Sequence, residues 1–332
     1  MLLKSLINKI ALVLVAFSLV SVAQAEKKEL NFGIISTEST QNLKSTWTPF
    51  LADMEKQTGY TVNAFFAPDY AGVIQAMRFG KVDIAWYGNK SAIEAVDRSG
   101  GEVFAQTVDV DGNPGYWSLL VTHKDSPLNS VEDVLKNSKD LTFGFGDPNS
   151  TSGFLVPSYY VFAKNNVDPS KAFKRVINSN HQTNLLSAAN KQVDFATNNT
   201  ENLRRIEQTN PDAFKDIKVI WKSPLIPSDP MVWKKDLPET VKSKVYSFFM
   251  SYGTKDEAEK KIMAGLQWAP FRASSDDQLV PIRQLVLFKN RIKIENDTKY
   301  SASEKEQKLA VIDAQLGELN RKMAALKSLA NN

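Results

Sequence analysis

Short apolar strands alternate with amphipathic helices through the first third of the chain, and this alternation limits the fold more than any other feature. The spacing of apolar residues predicts strands at 30–35, 61–66 and 82–87 and helices at 46–58 and 70–79. Such short connections between strand and helix favour a parallel sheet with helices on its faces. Ligands of these sheets bind beyond the carboxyl ends of the strands, so candidate functional residues are expected there.

The same pattern starts again after residue 116. It predicts helices at 130–136, 154–163 and 184–189 and strands at 141–145 and 193–196, before the chain returns to the first unit near 221–233. We therefore expect an α/β fold of two lobes with a ligand cleft between them, which is typical of solute-binding proteins. The predicted bounds are 26–119 and 226–290 for lobe 1, 120–225 for lobe 2 and 291–332 for a C-terminal helical extension.

The N-terminus predicts export. Lys4 and Lys9 precede an apolar run at 10–22, and Ala23-Gln24-Ala25 has the small-x-small pattern of a signal-peptidase site. The run is too short for a membrane span, and a buried core helix is the alternative. A signal peptide at 1–25 predicts a soluble mature protein in the periplasm.

Composition excludes several functional classes. The net charge of +4 is spread along the chain and gives no support for nucleic-acid binding. Without cysteine and with two histidines, the chain has neither thiolate chemistry nor a multi-histidine metal site. It lacks the Gly-x-Ser-x-Gly turn of serine hydrolases and the lysine of a phosphate-binding P-loop. We expect neither a cofactor nor a metal, and no enzyme activity.

The segment at 147–154, with the sequence Asp-Pro-Asn-Ser-Thr-Ser-Gly-Phe, lies between a predicted strand and a predicted helix. Ser150, Thr151 and Ser152 supply hydroxyl donors where a helix N-terminus presents unpaired N–H groups and a positive dipole end. This combination predicts a small-oxyanion site built from neutral donors. Helix capping alone is the simpler alternative. Pro157 should bend or delay the first turn.

Seven runs carry a specific resemblance to the periplasmic phosphonate-binding proteins of bacterial ABC transporters. They keep the family's order over nearly the whole mature chain, at residues 31–38, 66–72, 83–89, 147–154, 196–202, 223–227 and 268–276. The resemblance is strongest to members that prefer 2-aminoethylphosphonate. It implies a two-lobed type II periplasmic binding protein with parallel-rich sheets, which delivers its ligand to the permease of an ABC importer.

The resemblance also implies a site with two ends. The phosphonate group would be bound by Ser150, Thr151, Ser152, Tyr116 and His181. The amine would be bound by the carboxylates of Glu201 and Asp229, together with Tyr70. Each of these residues has a structural alternative, such as a helix cap for Glu201 and a turn for Asp229.

Two other functions are alternatives to an aminophosphonate-binding protein. The same cradle could bind phosphate, phosphite or an alkylphosphonate without an amine. An exported hydrolase is a more distant alternative, for which His181 and the serines would have to form a dyad. Buried carboxylates without a cation are unfavourable, so Glu201 and Asp229 favour an amine-bearing ligand.

The C-terminal segment at 309–330 has apolar residues at alternating spacings of three and four. They are Leu309, Ile312, Leu316, Leu319, Met323, Leu326 and Ala330. This seam predicts either a homodimer through the helix or a long helix that packs on its own lobe. Gly317 lies off the seam and lowers helix stability by about 1 kcal/mol relative to alanine.

Overall fold

The computed structural model describes residues 28–330. Within this part the strands are β1 (Glu29–Ile34), β2 (Thr61–Phe66), β3 (Ile84–Trp86), β4 (Gly101–Asp109), β5 (Gly115–Tyr116), β6 (Ser118–His123), β7 (Thr142–Gly146), β8 (Arg175–Ser179), β9 (Phe195–Asn199), β10 (Ile217–Lys222), β11 (Ile226–Pro227), β12 (Pro230–Lys234) and β13 (Trp268–Ala273). The predicted signal peptide lies outside the described residues. No helix in 28–330 is long and apolar enough to cross a bilayer.

Two mixed sheets form the centres of two lobes. The first sheet has the order β13-β4-β12-β3-β1-β2, and the second has the order β10-β6-β9-β7-β8. Pairing is parallel in β3-β1-β2 and β9-β7-β8, and antiparallel between the other neighbours. β6 of the second sheet begins at Ser118, two residues before the predicted start of lobe 2. The α/β fold predicted from the alternation is confirmed.

Helices cover these sheets and continue beyond them. They are α1 (Thr40–Thr58), α2 (Tyr70–Arg78), α3 (Asn89–Arg98), α4 (Val131–Lys136), α5 (Pro169–Ala172), α6 (His181–Ala189), α7 (Thr200–Thr209), α8 (Pro211–Lys215), α9 (Glu239–Ser251), α10 (Glu257–Gly265), α11 (Val280–Asn296) and α12 (Ala302–Ala330). An irregular helix of π-turns covers Thr151–Leu155 and Ser158–Phe162.

Two helices start earlier than their apolar spacing predicts, because polar caps define their first turns. The side chain of Ser39 accepts a hydrogen bond from the Asn42 N–H, and α1 begins at Thr40, six residues before the predicted start at 46. Asn180 caps α6 in the same way, three residues before the predicted start at 184. These first turns contain few apolar residues, so periodicity alone does not detect them.

Aromatic side chains fill both cores. In lobe 1, Phe32 packs on Trp47 with 5.4 Å between ring centroids, and Phe50 packs on Tyr252 at 5.2 Å. In lobe 2, Phe143 stacks on Phe195 at 4.4 Å. Each core lies between its sheet and the covering helices, so each lobe has its own apolar support for the residues that face the cleft.

A short two-stranded ribbon connects the lobes. β5 pairs antiparallel with β11, with Tyr116 opposite Ile226 and Gly115 opposite Pro227. A Cβ added to Gly115 would lie 1.9 Å from the Ile226 carbonyl oxygen, so this position requires glycine. The crossing ribbon thereby brings Tyr116 to the boundary between the lobes.

The C-terminal segment forms a helical hairpin in which α12 packs on α11. Ile312 and Leu316, in the middle of the predicted seam, are each only 7% exposed. Gln284 of α11 donates to Asn320 at 2.7 Å, and Arg291 pairs with Asp313 at 2.9 Å. The seam therefore packs on the protein's own helix; the side chain of Ala330 lies outside the described residues.

Candidate ligand-binding site

A small cavity lies between the two lobes. Its volume is about 50 Å³, and residues of both lobes line it. A single water molecule needs about 10–15 Å³ on this scale, so the cavity can hold a small solute. The walls include residues from the first turns of four helical segments, namely Tyr70 of α2, Thr151 of the π-turn helix, His181 of α6 and Glu201 of α7. Their positive dipole ends favour an anion.

The serine–threonine–serine run forms the N-terminus of the π-turn helix. The Oγ of Ser150 accepts from the Gly153 N–H at 2.9 Å, which is the predicted capping bond. The first N–H groups of a helix have no partner within it, so those of Thr151 and Ser152 remain available to an anion. The helix continues past Pro157 in wide turns, as the missing proline N–H requires. Capping and anion binding are thus compatible here.

His181 lies beside this run. Its Nε2 is 3.4 Å from the Oγ atoms of both Ser150 and Ser152 and from the side-chain nitrogen of Asn199. Burial lowers the pKa of His181 to about 4, so the imidazole is neutral at physiological pH. Its buried Nδ1 has no partner within the described residues. A neutral imidazole can donate one hydrogen bond but brings no formal charge.

Asp229 lies at the boundary between the lobes and is 7% exposed. Tyr116 donates its hydroxyl to Asp229 Oδ1 at 2.9 Å, and the indole of Trp86 donates to Oδ2 at 3.2 Å. Burial, together with the nearby charge of Glu201, raises the pKa of Asp229 well above its usual range. The two neutral donors lower this pKa only in part, and no cationic side chain within residues 28–330 forms an ion pair with the carboxylate.

Glu201 belongs to the first turn of α7 and faces the same cavity. Burial and the charge of Asp109 raise its pKa to about 7, while Arg205, Arg204 and a hydrogen bond from Trp268 act in the opposite direction. The charge of Glu201 acts across the cavity and raises the pKa of Asp229. Two ionised carboxylates in one buried space favour a bound cation.

Tyr70 connects the two groups of residues. Burial together with the charges of Asp147, Asp229 and Glu201 raises the pKa of Tyr70 well above its usual range, while the neighbouring Ser150 lowers it in part. Tyr70 is therefore a neutral donor. The resemblance assigns Tyr70 to the amine end and Tyr116 to the phosphonate end. In this structure Tyr70 also contacts the serine run, and the Tyr116 hydroxyl contacts Asp229.

Direct contacts hold the two lobes together around the cavity. The guanidinium of Arg205 in α7 pairs with Glu38 of lobe 1 at 2.8 Å, and the Lys90 N–H donates to Thr151 Oγ1 at 2.9 Å. Gly88 permits this approach, because a Cβ there would lie 3.1 Å from Thr151 Oγ1. The cleft is therefore closed in this structure.

A comparison with protein-family models identifies the family of this chain. Residues 32–279 match the family described as "ABC transporter, phosphonate, periplasmic substrate-binding protein". The chain belongs to this family. It is 62% identical over 316 residues to the phosphonates-binding periplasmic protein of Escherichia coli K12, a match that covers 95% of this chain and 93% of that protein.

Solved structures agree with the fold. The binding component of an ABC phosphonate transporter from Pseudomonas aeruginosa superimposes with a TM-score of 0.89, at 61% identity and over 91% of this chain and 100% of that chain. A binding protein from Prochlorococcus marinus, solved with methylphosphonate, has a TM-score of 0.70 at 24% identity, over 78% of this chain and 97% of that one. The two-lobed type II architecture is confirmed. Members of the family are substrate-binding proteins, so the chain is not an enzyme.

The structure brings all eight predicted site residues to one cavity. They are Tyr70, Tyr116, Ser150, Thr151, Ser152, His181, Glu201 and Asp229. No group of acidic or histidine side chains in residues 28–330 could hold a metal. The contacts of these eight residues with a ligand remain predictions.

Sequence reasoning did not identify several further residues that line the cavity. They are Glu38, Trp47, Trp86, Asn199, Arg205 and Trp268. Trp86 and Asn199 end β3 and β9, so their position at the carboxyl ends of strands could have identified them. No comparable signal marks Glu38 and Arg205, which come together only through the fold.

Proposed function

We propose that this protein binds 2-aminoethylphosphonate between its lobes in the periplasm and delivers it to the permease of an ABC importer. One observation carries the proposal, which is that neutral donors and two carboxylates with raised pKa values line the same small cavity. The ligand has an anionic head and a cationic tail. Each end of such a molecule matches one of these groups, and the match fixes its orientation.

The head would bind at the N-terminus of the π-turn helix. The N–H groups of Thr151 and Ser152, together with the three hydroxyls, offer donors to the phosphonate oxygens. His181 is neutral, so in the tautomer with hydrogen on the ring nitrogen that faces the ligand it adds one donor. An anion held by neutral donors and helix dipoles can be released when the lobes open.

The tail would bind beside Glu201 and Asp229. Their raised pKa values show that the closed cavity disfavours two ionised carboxylates. An ammonium group between them would remove this penalty and form charge-assisted hydrogen bonds. Tyr116 and Trp86 already orient Asp229, so its carboxylate needs little reorganisation.

A ligand without an amine is the second candidate. The pKa of Glu201 is about 7, so a proton can replace the cation when phosphate, phosphite or methylphosphonate occupies the cavity. This observation favours weaker binding of such ligands at neutral pH rather than complete exclusion.

Calorimetric titration at pH 7.5 with 2-aminoethylphosphonate, methylphosphonate and phosphate tests the choice. We expect the amino compound to bind at least about tenfold more tightly than the other two, a difference of about 1.4 kcal/mol. Equal or tighter binding of methylphosphonate or phosphate would refute the amine site.

The proposal also includes the signal peptide, the domain bounds and the oligomeric state. The signal peptide at 1–25 would direct export and be removed, and N-terminal sequencing of the periplasmic protein tests this. The bounds given above for the lobes and the C-terminal extension are proposed as its domains. Self-association through residues 309–330 would use only those parts of the seam that α11 leaves exposed, and a monomer in light scattering would exclude it.

A further inference from the structure

Three tryptophans of lobe 1 pack together at the cavity. The ring centroid of Trp47 lies 5.4 Å from that of Trp86 and 5.4 Å from that of Trp268, and the latter two are 5.6 Å apart. They come from α1, β3 and β13, and all three line the cavity. We call them the indole cluster.

Two members of the indole cluster contact the carboxylates. The Nε1 of Trp86 donates to Asp229 Oδ2 at 3.2 Å. Trp268 lies close enough to Glu201 to lower the pKa of that carboxyl. The positions of both carboxylates therefore depend on how these two indoles are held.

Trp47 holds the other two indoles in place. It is 2% exposed and packs on Phe32 at 5.4 Å and on Phe50 at 5.8 Å, both of which belong to the core of lobe 1. Its contacts with Trp86 and Trp268 complete a continuous aromatic layer from the core to the cavity. Side chains packed at crystal-like density have no room to tilt away from a longer ligand.

The indole cluster and the serine run face the cavity from different lobes. Ser150, Thr151 and Ser152 belong to lobe 2, whereas the cluster belongs to lobe 1. A ligand whose head is fixed on the serine run therefore extends its substituent towards lobe 1. When the lobes close, the space left between these two walls limits the length of that substituent.

We propose that Trp47 is a specificity-determining positioning residue, which sets the depth of the cleft and restricts the ligands to phosphonates with a short substituent. Trp47 lines the cavity itself and also fixes Trp86 and Trp268, which lie beside the carboxylates. This role rests on the proposed phosphonate site, but it does not depend on the amine. Its test can therefore use ligands that have no amine.

Affinities for methyl-, ethyl-, propyl- and butylphosphonate test the proposal. In the wild-type protein we expect a loss of about tenfold or more at the first chain that reaches the indole cluster, the usual effect of one methylene that does not fit. Trp47→Phe removes part of the layer. It should move the loss to a longer chain and raise the affinity for butylphosphonate by about tenfold relative to propylphosphonate, which has the chain length of 2-aminoethylphosphonate.

Trp233→Phe is the matched control. Trp233 is also buried in lobe 1, at 9% exposure, and stacks on Phe104 at 4.1 Å, but it does not line the cavity. Its substitution should lower thermal stability without changing the ratio between butyl- and propylphosphonate. A general loss of packing in lobe 1 would affect both variants alike.

Two results would overturn the proposal. One is wild-type protein that binds butylphosphonate as tightly as methylphosphonate. The other is a folded Trp47→Phe protein whose butyl-to-propyl ratio stays within about twofold of wild type, well below the expected change. If Trp47→Phe does not fold, the wild-type series decides alone. A wild-type protein that shows the length limit but no preference for the amino compound would refute the amine site and leave the role of Trp47 standing.

Discussion

Glu201 should bind a proton whenever the lobes close over a ligand that has no cation. In water its pKa is close to the ordinary value of 4.5, whereas burial beside Asp109 raises it to about 7 in the closed cleft. The closed cleft therefore binds the proton more tightly than an open cleft does. Closing over an uncompensated Glu201 is favoured at acidic pH and becomes progressively less favourable as the pH rises from about 4.5 to about 7.

The size of this effect follows from the two pKa values. Their difference, 7 − 4.5, corresponds to about 3 kcal/mol at 1.36 kcal/mol for each pKa unit. Glu201 keeps partial contact with solvent, so we expect about 2 kcal/mol, or roughly thirtyfold in affinity. Methylphosphonate should lose this factor between pH 5 and pH 8. 2-Aminoethylphosphonate should not, because its ammonium group takes the place of the proton.

Calorimetry in two buffers of different ionisation enthalpy counts the protons directly. Near pH 6.5 we expect about half a proton to one proton to be taken up with methylphosphonate through Glu201. Glu201→Gln is the control, since it keeps the shape of the side chain and retains only the titration of the ligand and other groups. Identical proton uptake by wild type and Glu201→Gln, or by wild type with the two ligands, would show that the reasoning is wrong.

Two further predictions concern single contacts. Glu38→Gln removes the ion pair with Arg205 that closes the cleft. It should lower the affinities for 2-aminoethylphosphonate and methylphosphonate by a similar factor of about ten, mainly through faster dissociation in stopped-flow measurements. A selective loss of affinity for the amino compound would contradict this. Gly115→Ala should lower the midpoint of thermal unfolding by several degrees, because its Cβ would overlap the Ile226 carbonyl oxygen, and an unchanged midpoint would show that the ribbon can shift.

The strand–helix alternation predicted the two lobes, because apolar periodicity reports local structure and the connections are short. The site residues are harder to predict from the sequence than the two lobes. Ser150 was identified from its local context as both a cap and an anion donor, whereas Glu201 and Asp229 were identified only through the resemblance. Their surroundings depend on contacts between residues distant in sequence, such as Glu38 with Arg205, and no local pattern encodes these contacts.

The indole cluster shows a second reason why the sequence does not identify some residues that line the cavity. An aromatic residue at helical spacing, such as Trp47, predicts core packing, and Trp47 does pack in the core. Its additional contact with the cavity depends on β3 and β13, which lie far apart in the sequence. A residue that serves the core and the cavity together has the sequence pattern of a core residue alone.

The helix α11 touches both lobes, and this has a mechanical consequence. Arg283 forms two hydrogen bonds with Asp97 of lobe 1, at 2.6 and 2.8 Å. On lobe 2, Phe288 stacks on Tyr159 at 6.1 Å, and Asn296 donates one hydrogen bond to Asn166. A rotation between the lobes would therefore leave α11 fixed to lobe 1 and slide it across lobe 2. The hairpin of α11 and α12 would move with lobe 1 relative to lobe 2, so that a probe on its surface reports the opening of the cleft from outside.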